Sequence, residues 1–454
     1  MPALIRCLAG RSCRVRAVSA LWPVVVKGSS SAPLSPSLRC PDPGLPYRCR
    51  ALQTSARSTT AATMHVPSPV SLQEPMVVPL KTLMGPGPSN AHPRVLEAQS
   101  QPLLGHLHAE FCKIMDDCKD GIRYMFQTEN RVTLALSSTG HGGMECVMAN
   151  LLERDDVILI AHNGVWGERS SDMARRQGAV VHQIKEPAGS GFYLQELRAA
   201  LDVYKPKVLF VTHGESSTGV LQNLNGIGDV CKAHDCLFVV DTVASLGGVP
   251  FYADQWGVDV VYTGSQKVLS APPGTAPISL SENAWQKIIN RKTPISSFYF
   301  DLTMLANYWG CDEGPRKYHH TGPISSIYAL REALAIACTE GLESLWERHQ
   351  RCAQRLYAGL AEMGLKLFVE NETFRLPTVT TVKVPEGVDW KAVSAYCMTK
   401  HKLEISGGLG PSAGLVWRIG LMGANATDEK VDFVLECLRE ALADVKKTVD
   451  SLTL

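Results

Sequence analysis

The 454-residue chain contains no apolar run approaching the ~18–20 residues that a membrane-spanning helix needs. It carries almost no net charge, +1, and so lacks the basic footprint of a nucleic-acid binder. Its 14 cysteines include no CxxC pair and no zinc-ligand spacing, which argues against a zinc module or a disulfide framework. A chain this long buries a core without cross-links. Scattered thiols suit a reducing compartment better than a secretory one. Neither a GxxxxGK[ST] phosphate loop nor a dinucleotide-binding glycine pattern is present.

The first 63 residues are nearly free of acid. They hold nine basic residues against one acidic residue, Asp42, and are rich in Ser, Ala and Pro. Residues 1–63 therefore read as a mitochondrial presequence, with a matrix destination and Met64 as an alternative start. A secretory signal is excluded because Leu21–Val26 is too short for its apolar core and contains Pro23. A peroxisomal address is disfavoured: the chain ends Leu452-Thr453-Leu454, without the small and basic residues of Ser-Lys-Leu. Without the leader, 36 basic and 43 acidic residues remain, so the body is mildly acidic.

What is present begins at Pro79. Residues 64–84 form an N-terminal arm, and Met84-Gly85-Pro86-Gly87-Pro88-Ser89-Asn90 reads as a rigid loop entering a domain. Seven short apolar runs follow: Val132–Ser137, Asp156–Ala161, Ala179–His182, Lys207–His213, Leu237–Asp241, Val258–Thr263 and Ala276–Leu280. They are apolar almost throughout, as strands covered on both faces must be. Amphipathic stretches such as Met144–Leu152 and Leu194–Tyr204 separate several of them. The alternation predicts an α/β domain over 85–340 with a mostly parallel seven-stranded sheet. Residues 341–454 predict a smaller α+β domain: strands at Thr378–Val384, Leu403–Ile405 and Leu415–Ile419, and helices at Trp390–Lys400 and Asp428–Lys446. The last helix has Thr427 as its N-cap.

In such sheets ligands bind beyond the carboxyl ends of the strands. The first run ends in Ser138-Thr139-Gly140-His141-Gly142-Gly143 and enters a helix, a backbone suited to phosphate; a plain Gly-rich turn would look the same. The fifth ends in Asp241, either a helix cap or an acid paired with a ring nitrogen. The sixth leads to Lys267, either a solvated loop lysine or a desolvated amine able to form a Schiff base with an aldehyde. One strand–helix–strand step separates Asp241 from Lys267, so both lie at one sheet edge. Together the three elements match what pyridoxal 5′-phosphate (PLP) needs for its phosphate, pyridine nitrogen and aldehyde.

Further residues support the match: His213-Gly214-Glu215-Ser216-Ser217-Thr218-Gly219-Val220, Gly264-Ser265-Gln266-Lys267, Tyr318-His319-His320-Thr321 and Gly407-Gly408-Leu409-Gly410-Pro411-Ser412. With the Gly85–Asn90 loop, they resemble the class V, fold-type-I PLP aminotransferases of the alanine–glyoxylate (serine–pyruvate) kind, from Met84 to the last helix. The resemblance implies that Trp166 stacks on the cofactor ring. It assigns Thr139, Gly140 and His141 to the phosphate side, Thr139 keeping the hydroxyl where relatives can have serine. By the same resemblance, Ser216 and Gln266 are expected to hold the cofactor, and Tyr318 and Thr321 to reach the phosphate of the neighbouring subunit in a homodimer. Arg418 clamps the substrate carboxylate. Without the resemblance, Trp166 would be a core residue, Tyr318-His319-His320 an exposed loop and Arg418 half of a structural ion pair. No metal site is expected, since adjacent histidines alone do not make a coordination shell.

The rival chemistry is another class V PLP reaction, such as cysteine desulfuration, which needs a nucleophilic cysteine on a mobile loop. Cys311 is the one to follow. A PLP-fold scaffold without catalysis is the non-enzymatic alternative, disfavoured by the intact Lys267, Asp241 and Arg418.

Overall fold

A computed structural model describes residues 66–452, with side chains to residue 445. The expected presequence, Met64 and the last two residues lie outside the described residues. The chain divides into two compact units, residues 1–76 and 77–454. In the described part of the first, Val70–Leu72 forms a 3₁₀ turn. The rest concerns the second.

All seven apolar runs are strands of one sheet. They are β1 (Val132–Leu136), β2 (Val157–His162), β3 (Val180–Lys185), β4 (Val208–Thr212), β5 (Leu237–Asp241), β6 (Val260–Tyr262) and β7 (Ala276–Leu280). The spatial order is β1-β7-β6-β5-β4-β2-β3. β7 runs antiparallel to both neighbours and the other pairs are parallel. β1, β4 and β7 are buried at every position, which explains their unbroken apolar sequence. β3 is the exception. It lies at the edge, partly exposed along its length, and extends through Gln183 to Lys185, beyond the apolar run that marks it.

Helices cover the sheet. The ones that position the site are α1 (Gly140–Leu151), directly after β1, and α2 (Val165–Arg176), directly after β2. Farther on, α3 (Ile324–Glu340) and α4 (Leu342–Glu362) are separated by Gly341 at φ +84°, a conformation that costs glycine little.

A second apolar cluster joins Met84 to residues between Cys352 and Ala441. Its sheet has three antiparallel strands, β8 (Val379–Lys383), β9 (Ser406–Gly407) and β10 (Val416–Gly420), in the order β8-β10-β9. The last helix, α5 (Asp428–Leu452), runs past the expected Lys446. The Thr427 hydroxyl accepts the Lys430 N–H at 3.3 Å, the cap expected there. The fold is therefore α/β with a mostly parallel seven-stranded sheet and a smaller C-terminal α+β region.

Candidate active site

The carboxyl ends of β1, β2, β4, β5 and β6 point to one edge, and a cavity of about 110 Å³ opens there. Its walls include Gly140, His141, Trp166, Ser216, Asp241, Gln266 and Lys267, seven of the expected site residues. Thr139, just outside the lining, is the N-cap of α1, yet its side chain makes no capping bond. The first intrahelical bond comes from the Gly143 N–H to the Thr139 carbonyl at 3.0 Å, so the preceding N–H groups at the helix mouth have no helical acceptor. Gly140 is required here: a Cβ would lie 2.8 Å from Val243 Cγ2. Free N–H groups and the positive end of the helix dipole make this wall an anion site.

On the opposite wall, Asp241 ends β5. Its Oδ1 accepts the Val243 N–H and its Oδ2 accepts the Tyr262 hydroxyl, both at 2.8 Å. Tyr262 stands in register with Asp241 on the adjacent β6. Burial pushes the Asp241 carboxyl up to about 6, against the pull of those two hydrogen bonds and of Lys267. Among the described residues no cation lies within ion-pair distance of it. As a cap alone it would be an expensive one, because a buried carboxylate is costly without a charged partner.

Lys267 Nζ donates to the Pro86 carbonyl. The Gly85–Asn90 loop is tied to the lysine loop by Ser89: its N–H goes to the Gln266 carbonyl at 2.9 Å and its hydroxyl to the Lys267 carbonyl at 2.7 Å. Gly87, at φ +111°, lies so close that a Cβ would sit 2.3 Å from Nζ. Burial first, and then the Arg418 charge, lower the Lys267 amine to about 8. The contacts with the Pro86 carbonyl and Gly87 argue against a solvated loop lysine. Gln266 Oε1 is buried with no hydrogen-bond partner, in the cavity wall.

Trp166 lies in the first turn of α2, and its indole N–H donates to Ser216 Oγ at 3.0 Å. It meets His141 edge-on, ring centroids 5.4 Å apart. Arg418, on β10, is buried and donates Nε to the Gly407 carbonyl at 2.8 Å and Nη1 to the Ser216 carbonyl at 3.3 Å. Among the described residues it has no carboxylate within ion-pair distance. The structural ion pair is thus ruled out, and a planar guanidinium held by two carbonyls is left with donors for a carboxylate.

Two participants were not singled out from the sequence. Tyr262 sits inside an apolar run and looked like core. Glu215 is fully buried between Ser217 and Trp166, and burial pushes its carboxyl up to about 7. The signal for Glu215 is an acid shortly past a buried strand, close to the one that marks Asp241 at the end of β5.

Tyr318 and Thr321 do not line the cavity of their own chain. They are exposed, with hydroxyls 3.4 Å apart. The intervening histidines contradict the exposed-loop alternative. His319 is buried, and its Nδ1 meets His320 Nδ1 at 2.8 Å, while His320 Nε2 meets Ser137 Oγ at 2.6 Å. No group of three or more metal-binding side chains occurs among the described residues. Cys311 is buried, its thiol bonded to the Thr133 carbonyl at the amino half of β1, away from the cavity edge. Burial raises its pKa, the reverse of an activated thiol.

With this geometry in hand, comparison with known proteins is direct. A family model described as aminotransferase class-V matches residues 84–433. An alanine–glyoxylate aminotransferase of Drosophila melanogaster is 52% identical over 384 residues, spanning 84% of this chain and 98% of its own. The crystal structure of an alanine–glyoxylate aminotransferase from Nostoc sp. has a TM-score of 0.80 at 47% identity, covering 81% of this chain and 97% of that one. A cysteine desulfurase from Thermococcus onnurineus NA1 has a TM-score of 0.64 at 14% identity over 81% of this chain and 95% of its own, a likeness of fold alone.

Proposed function

The chain belongs to the class V aminotransferase family, and on that premise we propose that it uses PLP to move an amino group from alanine, or serine, to glyoxylate, or pyruvate. The cavity fits the cofactor: an uncapped helix mouth, a buried carboxylate without a cation, a desolvated lysine and an orphaned amide oxygen share its walls. Bound there, PLP supplies the carbonyl that takes up amino groups and a ring that accepts the electrons of the α-carbon bond.

This chain's residues do the rest. The α1 mouth, with Thr139, Gly140 and His141, holds the phosphate. Asp241 would keep a proton on the ring nitrogen, and the Trp166 indole would cover a ring face. Ser216 and Gln266 fix its position. Lys267 would hold the cofactor through its amine and, when that amine is free, would carry the α-carbon proton. Arg418 holds the carboxylate and so sets the angle of the α-carbon bond. The observation that carries the reading is the pair Lys267 and Asp241, both desolvated on one cavity. A donor–acceptor panel of alanine, serine and aspartate against glyoxylate and pyruvate tests it. Transfer from alanine or serine to glyoxylate is expected; transfer from aspartate alone would overturn the substrate assignment.

Arg418→Lys keeps the charge and loses the planar pair of donors. It is expected to raise KM for both the amino acid and the 2-oxo acid by about 10–100-fold, the worth of a charge-assisted hydrogen bond. Unchanged Michaelis constants would remove the clamp role. In this reading the protein is a homodimer in which Tyr318 and Thr321 of each subunit reach the partner's phosphate. A fully active monomer in sedimentation would contradict it. The acid-poor leader carries the chain to the mitochondrial matrix, so residues 1–63 fused to a fluorescent protein should co-localise with mitochondria; a diffuse cytosolic signal would overturn this.

A further inference from the structure

We propose that Glu215 is a positioning residue whose buried carboxylate pins the helix carrying Trp166, so that the indole lies fixed for the cofactor ring. The inference rests on the reading of the cavity as a PLP site. Glu215 belongs to the two-residue strand Gly214–Glu215, which pairs with Val220–Leu221 and ends at the cavity wall. It is 0% exposed, and among the described residues no cation lies within ion-pair distance. Such a carboxylate persists only if hydrogen bonds replace its water.

Three do. Oε1 accepts the Ser217 N–H at 3.0 Å and the Ser217 hydroxyl at 2.5 Å, and Oε2 accepts the Trp166 N–H at 3.1 Å. The last is an unpaired N–H in the first turn of α2, where the helix dipole favours an anion. The sequence leaves room for this. Gly164 precedes α2, and a Cβ there would lie 2.2 Å from Glu215 Cδ. Any other residue at 164 would push the carboxylate off the helix end.

The neighbours complete the clamp. Ser217 Oγ accepts the Val165 N–H at 3.1 Å, and Ser216 Oγ accepts the Trp166 indole N–H at 3.0 Å. Trp166 is thus held at its backbone by residue 215 and at its ring edge by residue 216. The same tripeptide reaches the substrate side: the Ser216 carbonyl accepts Arg418 Nη1 at 3.3 Å. Glu215 does not line the cavity, although Gly214 and Ser216 on either side of it do, and so it works through Trp166.

Glu215→Gln is isosteric, but half of its head group is a donor. Against the Trp166 N–H, or the Ser217 N–H, it sets N–H against N–H. The full chain is compared as wild type, Glu215→Gln and Ser217→Ala. PLP affinity is measured by equilibrium dialysis, together with quenching of tryptophan fluorescence and induced circular dichroism in the cofactor band. Far-ultraviolet dichroism checks folding. The expected result is a PLP dissociation constant about tenfold or more higher in Glu215→Gln, as for loss of a charge-assisted contact, with weaker quenching and induced dichroism. Ser217→Ala should move all three in the same direction by less, and carries the test if Glu215→Gln fails to fold. Folded variants with wild-type affinity, quenching and dichroism overturn this inference alone. Wild-type protein that does not bind PLP overturns it together with the proposed function.

Discussion

On the proposed reading, Lys267→Ala is expected to abolish transamination and to remove the site that borohydride reduction would otherwise label with cofactor. The amine is prepared by its surroundings. Half-buried and close to Arg418, it is lowered by desolvation to about 8 from the 10.5 of a free lysine. Its Nζ contacts the Pro86 carbonyl, and only glycine fits at 87 beside it. On that reading alanine would lose both the covalent attachment and the base that moves the α-carbon proton. General acid–base transfer alone is worth ~10²–10⁴-fold in rate, so the combined loss exceeds that. The neutral amine is the nucleophile, so covalent uptake of PLP by the wild-type apoprotein should quicken as pH rises through about 8. Peptide mapping after reduction should place the label on Lys267, and label on another lysine would sink the assignment.

The sequence is most legible where burial is complete. Strands covered on both faces cannot afford polar residues, so β1, β4, β5 and β7 stand out as apolar blocks within a residue or two of their observed ends. The edge strand β3 is cut short in the sequence because solvent on one side permits Gln183 and Lys185. In the site, Asp241 and Lys267 are visible because a charged side chain just past an apolar run has few inexpensive explanations. Tyr262 is invisible for the opposite reason. A tyrosine in an apolar run reads as packing, and only register with β5 brings its hydroxyl to Asp241. His319 and His320 show the same limit, because their burial depends on Ser137 and Phe298, which are remote in sequence. Composition marks what a residue costs to bury; which partner meets that cost is set by tertiary contacts.

Asp241→Asn is the second large effect, and it separates catalysis from folding. Asparagine matches the site in shape. Its carbonyl can accept the Val243 N–H and its amide can donate to Tyr262, whose hydroxyl turns to accept. On the proposed reading, however, the ring nitrogen would lose the anion that keeps it protonated, and turnover should fall about 10²–10³-fold, as when a preorganised electrostatic partner is removed. Stability should move the other way. Burial raises the Asp241 carboxyl from 3.8 to about 6, so the folded apoprotein holds this proton more tightly than the unfolded chain. Stability from this group is therefore lost as pH rises from about 4 to about 6. A shift of that size corresponds to about 3 kcal/mol at most, a penalty that asparagine does not carry. Apo Asp241→Asn should melt above apo wild type at pH 8, and the gap should close toward pH 4. An unchanged turnover number would reduce Asp241 to a cap for the backbone at Val243. A variant less stable than wild type at pH 8 would mean that the buried carboxylate has a cationic partner in the apoprotein after all.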